Sequence, residues 1–363
     1  MESRRKLLLY MGIFLLLFNF LSSYSELIVL NEIISTILML CGLLFLLVSS
    51  FMKKNEKIFT KILLLAFGIL TYYISNQSGI LQLIVIMISL KNENIDQIIK
   101  YIFKITIIFI FLHIIIYLLL YIYDKTILTF NVRFESDTLR HKFLFKHANF
   151  LGALVSWNCL SFLYLKRNNL KIIDYIYVFF MICFIIIFPN SRTSSIILLV
   201  VFVCLIIRKN IPVFIKKAIK YSIFILGLLS VVLLFTYEKS SITKNIDDLM
   251  SARIRLGYVA YMKYGIKPFG QNINYGEELD VKKNYGISSI VIDSSYYKLL
   301  FSYGYITYLL FLIYVLKKAQ KISLNDKKIY FLLAYALFSF TESTALFPLL
   351  AFPILFLVNE KEK

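Results

Sequence analysis

Three arginines are placed where they could bind a phosphate group. Arg192 follows Pro189 and Asn190 inside an otherwise apolar stretch, and Arg253 and Arg255 lie in the longest polar segment of the chain. A guanidinium is always charged, and its planar fork grips phosphate oxygens in pairs, which a lysine cannot imitate. The residue type and position therefore predict a phosphate held at a lipid surface.

Each of these arginines also has a structural interpretation. A charge near the middle of a bilayer costs about 2.5–3.5 kcal/mol on insertion scales, so Arg192 either meets an anion or reaches the headgroups beside the Pro189 break. Arg253 and Arg255 also fit surface charges on an amphipathic helix, which we predict within residues 247–270. Because residues two apart on a helix point about 200° away from each other, we expect only one of this pair to face a ligand.

Aromatic residues accompany the polar segment, whereas metal-binding patterns do not. Tyr258, Tyr261 and Tyr296 suit either sugar stacking or an aromatic belt at the membrane interface. Glu278 and Asp280 are spaced like a carboxylate pair, but in a segment rich in lysine and asparagine they indicate a solvated turn. The four cysteines lie in apolar stretches without metal-ligand spacing, and no nucleotide-binding motif occurs. We therefore predict neither a metal nor a cofactor.

The composition predicts an all-α polytopic membrane protein. Of the 363 residues, 60% are hydrophobic and 17% aromatic, which is more apolar surface than one soluble core can bury. Apolar stretches of about 17–22 residues recur, and each is long enough as a helix to cross a bilayer. About 12 transmembrane helices are predicted, near residues 7–23, 28–50, 58–75, 77–90, 101–123, 148–165, 172–188, 193–207, 221–237, 294–316, 328–341 and 344–358.

The charge distribution predicts the orientation of the chain. The formal net charge is +19, and the basic residues cluster in short connections on one side. By the positive-inside rule that side is cytoplasmic, with both termini there, in a multi-pass plasma-membrane protein. A nucleic-acid partner is not needed to explain the charge.

The same pattern divides the chain into five regions. A single large extracytoplasmic loop is predicted, and the candidate residues lie on the outer face. The regions are N-terminal helices (1–123), a first outer loop (124–147), central helices with the Arg192 turn (148–237), the large loop (238–293) and C-terminal helices (294–363).

From about residue 140 onward, several short stretches taken together resemble a known family. The chain resembles the O-antigen polymerase and ligase superfamily, bacterial membrane glycosyltransferases that include the Wzy-type polysaccharide polymerases. The stretches are "KHANFLG" (146–152), "PNSRTS" (189–194), "SARIRLGYVAYMKYGIKPFG" (251–270), "DSSYYKLLFSYGYITYLLF" (293–311) and "FTESTALFP" (340–348).

This resemblance implies a GT-C-like fold and a metal-independent, inverting glycan transfer. Donor and acceptor would be oligosaccharides linked to undecaprenyl diphosphate, polymerised into capsular, O-antigen or related surface polysaccharide. Arg192 with Arg253 or Arg255 would hold the leaving diphosphate. Other polysaccharide-assembly proteins, such as a chain-length regulator, are implied partners.

Such a transfer needs a group that takes the proton from the acceptor hydroxyl. His147, Asp293 and Glu342 are candidates, because each lies near a predicted outer boundary of the membrane, and histidine is the usual base near neutral pH. Their structural alternatives are an interface residue, a helix N-cap and a turn, respectively. His113, deep in an apolar stretch, is expected to be a hydrogen-bonded residue of the helix bundle.

Departures from the family leave alternatives open. The ligases carry a histidine motif in the large loop, and residues 238–293 contain no histidine, which favours a polymerase. The polymerases often carry a tryptophan shortly after the loop arginine, where Tyr258 stands here, so the choice between Arg253 and Arg255 stays open. A flippase for the same lipid-linked oligosaccharides, and a receptor or scaffold without chemistry, are the other functional hypotheses.

Overall fold

The structure is a computed structural model, and it describes residues 2–53, 58–123, 130–132, 139–277 and 289–358. Glu278 and Asp280, the carboxylate pair considered above, lie outside the described residues. The chain is mainly helical, and its described helices are α1 (Glu2–Ser23), α2 (Glu32–Phe51), α3 (Ile58–Ser75), α4 (Gly79–Leu90), α5 (Ile95–Tyr123), α6 (Ala148–Leu165), α7 (Ile172–Ile187), α8 (Arg192–Ile207), α9 (Val213–Lys220), α10 (Ser222–Thr236), α11 (Ser241–Leu249), α12 (Arg253–Tyr264), α13 (Ser295–Ser302), α14 (Gly304–Gln320) and α15 (Lys328–Thr341). Two short 3-10 helices follow, Ser343–Leu346 and Phe352–Leu357.

Among the described residues, five helices are long and apolar enough to cross a membrane. They are α1, α2, α3, α5 and α6, and α9 with α10 make a sixth if this pair, bent by 69°, is one span. α4, α7, α8 and α15 are apolar but shorter than 18 residues. An α-helical membrane protein is therefore supported, whereas the predicted count of 12 spans and the GT-C-like fold are not confirmed.

Two predicted spans differ from the structure. The stretch 294–316 is broken into α13 and α14 at Tyr303, and the stretch 344–358 contains two 3-10 helices instead of one α-helix. Pro353 lies at the start of the second 3-10 helix, and a proline cannot donate a backbone hydrogen bond within a helix. Both stretches are apolar, as predicted, but neither forms one continuous α-helix.

The segments predicted to be outer loops also contain structure that the sequence did not predict. Two short strands, β1 (Phe130–Val132) and β2 (Leu139–His141), pair antiparallel within the predicted first outer loop. The helix predicted within 247–270 begins only at Arg253, because Asp247 belongs to α11 and a turn separates the two helices. α12 ends before Gly265, whose φ is +64°.

By packing, the described residues form two units, and the first consists of residues 2–53 and 88–208. α1 packs against α2, and α6 contacts α5, α7 and α8. Nearly every side chain of α6 is buried, which makes this helix the core of the unit. His113 is buried, with its Nε2 2.8 Å from Ser25 Oγ and its Nδ1 2.9 Å from the Phe109 carbonyl. The prediction of a hydrogen-bonded bundle residue is confirmed.

The second unit consists of residues 58–87 and 209–358. α10 and α15 pack against each other and against several neighbouring helices. Three tyrosine hydroxyls donate to carbonyls of α10: Tyr296 to Ile223 at 2.9 Å, Tyr297 to Ser230 at 3.0 Å and Tyr308 to Gly227 at 2.6 Å. Large aromatic rings can be buried here because each polar tip finds an acceptor.

Candidate functional site

In the first unit, the N-terminal ends of α6 and α8 lie side by side. Gly152 faces Ser191 so closely that a methyl group at residue 152 would overlap the serine side chain. One turn further along α6, Ser156 Oγ donates to the Ser194 carbonyl at 3.2 Å. Because the residue numbers increase along both helices from the first contact to the second, the helices run in the same direction. We call the first turns of α6 and α8 with their N-caps, His147 and Ser191, the paired helix starts.

The strand β2 ties the two helix starts together. Arg140 Nε donates to the Pro189 carbonyl at 2.8 Å, and Arg140 Nη2 donates to Asn149 Oδ1 at 2.5 Å. The backbone N–H of His141 donates to the Phe188 carbonyl at 2.9 Å. The stretches "KHANFLG" and "PNSRTS", which carry part of the family resemblance, are therefore linked through the hydrogen bonds of Arg140.

Two of the predicted site residues lie at the paired helix starts. Arg192 is the first residue of α8 and His147 is the N-cap of α6, and both side chains are exposed. Neither side chain makes a hydrogen bond or ion pair with a residue that the structure describes. The first turns of α6 and α8 contain no acidic residue.

This arrangement concentrates positive potential. A helix N-terminus carries a partial positive charge and unpaired N–H groups, and a cation beside it is disfavoured by about 0.3–1 kcal/mol. Arg192 therefore does not stabilise α8 electrostatically. Two parallel helix starts, with a guanidinium that has no partner among the described residues, are instead suited to an anion.

In the second unit, Arg253 is engaged inside the protein. It is 6% exposed, and its Nη2 donates to Glu342 Oε1 at 2.8 Å. Nη1 donates to the Met250 carbonyl at 3.1 Å, and Nε donates to the Thr341 carbonyl at the end of α15. A cation at a helix C-terminus complements the helix dipole. We call Met250, Arg253, Thr341 and Glu342 the Arg253 cluster.

Asp247, which the sequence did not single out, organises the start of α12. Its Oδ1 accepts from the backbone N–H groups of Ile254 at 2.8 Å and Arg255 at 3.0 Å. Burial raises the pKa of this carboxyl group, while those two N–H groups and the Arg255 side chain oppose the shift. An aspartate ahead of a helix is an ordinary capping signal, but this one reaches across a three-residue turn from another helix.

The turn between α11 and α12 is strained. Ser251 and Ala252 have φ values of +54° and +64°, a region that residues other than glycine seldom adopt. Such positions cost about 1–3 kcal/mol each and persist only where surrounding contacts enforce them. Here the Asp247 cap and the Arg253 cluster supply those contacts.

Arg255 points differently from Arg253, as the helix geometry predicts. Its side chain is 33% exposed, and its Nε lies 3.6 Å from Asp247 Oδ2, beyond hydrogen-bond distance. Of the two loop arginines, only Arg255 therefore has accessible surface to offer a ligand. The expectation that one member of the pair serves a structural purpose fits Arg253.

The remaining predicted site residues of the second unit differ in burial and in hydrogen bonding. Tyr258 and Tyr261 are half-buried, with ring centroids 6.3 Å apart, whereas Tyr296 is fully buried and offers no face for a sugar. Asp293 is half-buried. The N-cap of α13 is the next residue, Ser294, and not Asp293. Glu342 is held by Arg253 and also lies beside α13, where its carbonyl accepts from Ser295 Oγ at 2.6 Å.

A tight backbone contact joins two further stretches that carry the family resemblance, residues 251–270 and 293–311. The N–H groups of Tyr305 and Ile306 each donate at 3.1 Å, to the carbonyls of Lys267 and Pro268. Gly270 and Gly304 have φ values of +86° and +87°, and a side chain at either would overlap the opposite backbone. The polar segment is therefore anchored at the break between α13 and α14.

Within the described part of the chain, no group of three or more His, Cys, Asp or Glu side chains could hold a metal ion. Comparison of the chain with protein family models, with curated proteins and with solved structures finds no match.

Proposed function

We propose that this protein is a membrane glycosyltransferase that polymerises oligosaccharide units carried on undecaprenyl diphosphate at the outer face of the plasma membrane. The observation that carries the proposal is the exposed Arg192 at the paired helix starts, in a chain with several helices apolar enough to span a bilayer. An anion presented at a membrane surface, such as a lipid-linked diphosphate, suits this charge. The family resemblance supplies the reaction.

In the proposed reaction, the acceptor hydroxyl oxygen attacks the anomeric carbon of the growing chain. The new glycosidic bond forms as the bond to the diphosphate oxygen breaks, with inversion at carbon and an oxocarbenium-like transition state. The electron pair leaves with the lipid diphosphate. Arg192 stabilises the negative charge that develops there, and Arg255 is the second candidate for this task.

The hydroxyl proton passes to a base, and His147 fits this part best of the three candidates. Its imidazole is exposed at the same pair of helix starts as Arg192. Glu342 is already paired with Arg253, and Asp293 lies at the start of a helix in the other unit. Tyr258 and Tyr261 are the residues proposed to stack on sugar rings.

The test is chain growth in a deletion strain that carries native or variant protein at matched membrane levels. Arg192→Ala is expected to leave mostly single repeat units on the lipid carrier, because loss of a transition-state anion contact lowers such rates by about 10²–10³. Arg192→Lys should restore part of the ladder, since charge returns without the planar fork. Arg208→Ala, at the opposite end of α8, is the matched control and should give a native ladder.

Three outcomes would overturn the proposal. A native ladder from Arg192→Ala would remove the arginine from the reaction. Repeat units that accumulate facing the cytoplasm in the deletion strain would indicate a flippase. Normal chain growth in the deletion strain, with weakened association of the polymer with the membrane, would indicate a receptor or scaffold.

A further inference from the structure

The short helix α9 meets α10 at a sharp angle. The two helices are bent by 69° relative to each other, with only Tyr221 between them. α10 is an apolar helix of 15 residues. If α10 runs across the membrane, a helix at this angle to it lies near the membrane plane.

One flank of α9 is fixed to the protein. Ile219 and Lys220 are buried, and Lys220 Nζ donates to the carbonyl of Gln320, the last residue of α14, at 3.1 Å. α9 also packs against α15. These contacts fix the rotation of α9 about its own axis and leave its other faces exposed.

The open faces of α9 carry both apolar and basic residues. At about 100° per residue, Phe214, Ile215 and Ala218 share one side, and the exposed Lys217 borders it. Lys216 is half-buried on the flank that packs on the protein. Phe214 is 72% exposed and Val213 is 61% exposed. A monomeric water-soluble surface seldom leaves such residues uncovered on one short helix, whereas an interfacial helix does so regularly.

The charge around α9 has a single sign. Residues 209–221 contain Lys209, Lys216, Lys217 and Lys220 and no aspartate or glutamate. The other short amphipathic helix, α11, differs, because its exposed Ile242 is accompanied by Asp247 and Asp248. α9 is therefore complementary to a negatively charged surface, and α11 is not.

We propose that α9 is an interfacial helix that binds anionic phospholipid headgroups through the exposed Lys209 and Lys217, with Phe214 inserted among the acyl chains. This surface is separate from the proposed glycan transfer and does not depend on it. Each lysine near an anionic membrane surface is expected to raise affinity about five-fold. Phe214 adds apolar burial that does not depend on lipid charge.

The experiment measures lipid contact at α9 in the full chain. Phe214→Trp places a reporter there, and the natural Trp157 is buried, so brominated acyl chains should quench its emission little. The purified protein is reconstituted in vesicles that contain bromine-labelled phosphatidylglycerol or bromine-labelled phosphatidylcholine. Quenching at residue 214 is expected with both lipids and to be stronger with labelled phosphatidylglycerol in a mixed bilayer.

Matched charge variants locate the headgroup contact. In the Phe214→Trp background, Lys209→Gln with Lys217→Gln should reduce the preference for phosphatidylglycerol about 25-fold, as expected for two lysines. Lys239→Gln with Lys244→Gln removes the same charge next to and on α11 and should leave the preference unchanged.

No quenching by either lipid would overturn the proposal and favour an acidic protein partner on α9. An unchanged preference in the Lys209 and Lys217 variant would also overturn it.

Discussion

Arg192 and Arg253 occupy the same position in their helices and opposite environments in the protein. Each is the first residue of a helix, and each follows a turn with residues of positive φ, Asn190 in one case and Ser251 and Ala252 in the other. Arg253 is buried with three acceptors, whereas Arg192 is exposed without a partner among the described residues. A shared local sequence context therefore does not determine whether an arginine serves the fold or remains available to a ligand.

The neighbouring helix end accounts for the difference. The start of α12 meets the C-terminal end of α15, where free carbonyls and Glu342 accept hydrogen bonds. The start of α8 lies beside the start of α6, where both helices present N–H groups and neither supplies an acidic residue. A helix C-terminus attracts a cation, and a second N-terminus repels it. The comparison predicts that the two arginines contribute very differently to stability.

The largest effect is expected at Arg253. Arg253→Ala should lower the free energy of unfolding by about 3–5 kcal/mol, because the Glu342 carboxylate, only 13% exposed, would lose its ion pair with Arg253. Chemical denaturation of the purified protein in detergent measures this change. The double variant Arg253→Met with Glu342→Leu should recover part of the loss, since no lone charge remains. A change below about 0.5 kcal/mol in the single variant would show that the pair is not needed.

An intermediate effect is expected at Asp247. Asp247→Ala removes the acceptor for two N–H groups of α12 and should cost about 0.5–2 kcal/mol, the usual range for a helix cap. Asp247→Asn retains an acceptor and should cost less. If both variants unfold like the native chain, the strained turn at Ser251 and Ala252 does not depend on this cap.

The same residue predicts a pH dependence with a definite sign. Burial raises the pKa of Asp247 in the folded protein above its ordinary value of 3.8, so the folded state holds the proton more tightly than the unfolded state. This contribution to stability is fully present below the unfolded pKa and is lost as pH rises through the folded pKa. Unfolding of native and Asp247→Asn protein, compared from about pH 4 to about pH 7, should show that the variant lacks this loss.

The smallest effect on stability is expected at Arg192. Arg192→Ala should leave the free energy of unfolding unchanged or raise it by about 0.3–1 kcal/mol, because a cation is removed from a helix N-terminus. Arg208→Ala, at the C-terminal end of the same helix, should change it in the opposite direction by a similar amount. The same denaturation assay compares the two variants. A large loss of stability in Arg192→Ala would place this arginine in the same structural class as Arg253.

Local sequence determined much of the helical framework. The apolar stretches predicted α1 to α8, α10 and α15, and the predicted bounds of these helices differ from the structure by at most six residues. Helix formation and burial follow from the composition of a contiguous segment, which is why local sequence suffices here. The unusual positions of Arg192, Arg253 and Arg255 are also evident from the sequence. His113 was recognised as a bundle residue because a polar group in an apolar helix must find a hydrogen bond.

Only the tertiary structure decided the partners. Nothing near Arg253 in sequence indicates that its carboxylate partner is Glu342, 89 residues away, or that Asp247 caps the helix on which Arg253 lies. The break between α13 and α14 depends on the backbone of Gly270, which comes from the polar segment. Tyr296 looked like an accessible ring and is a core residue, because its hydroxyl meets a carbonyl of α10. Propensity acts over a few residues, whereas the environment of a charge or an aromatic ring depends on which helix ends meet in the folded chain.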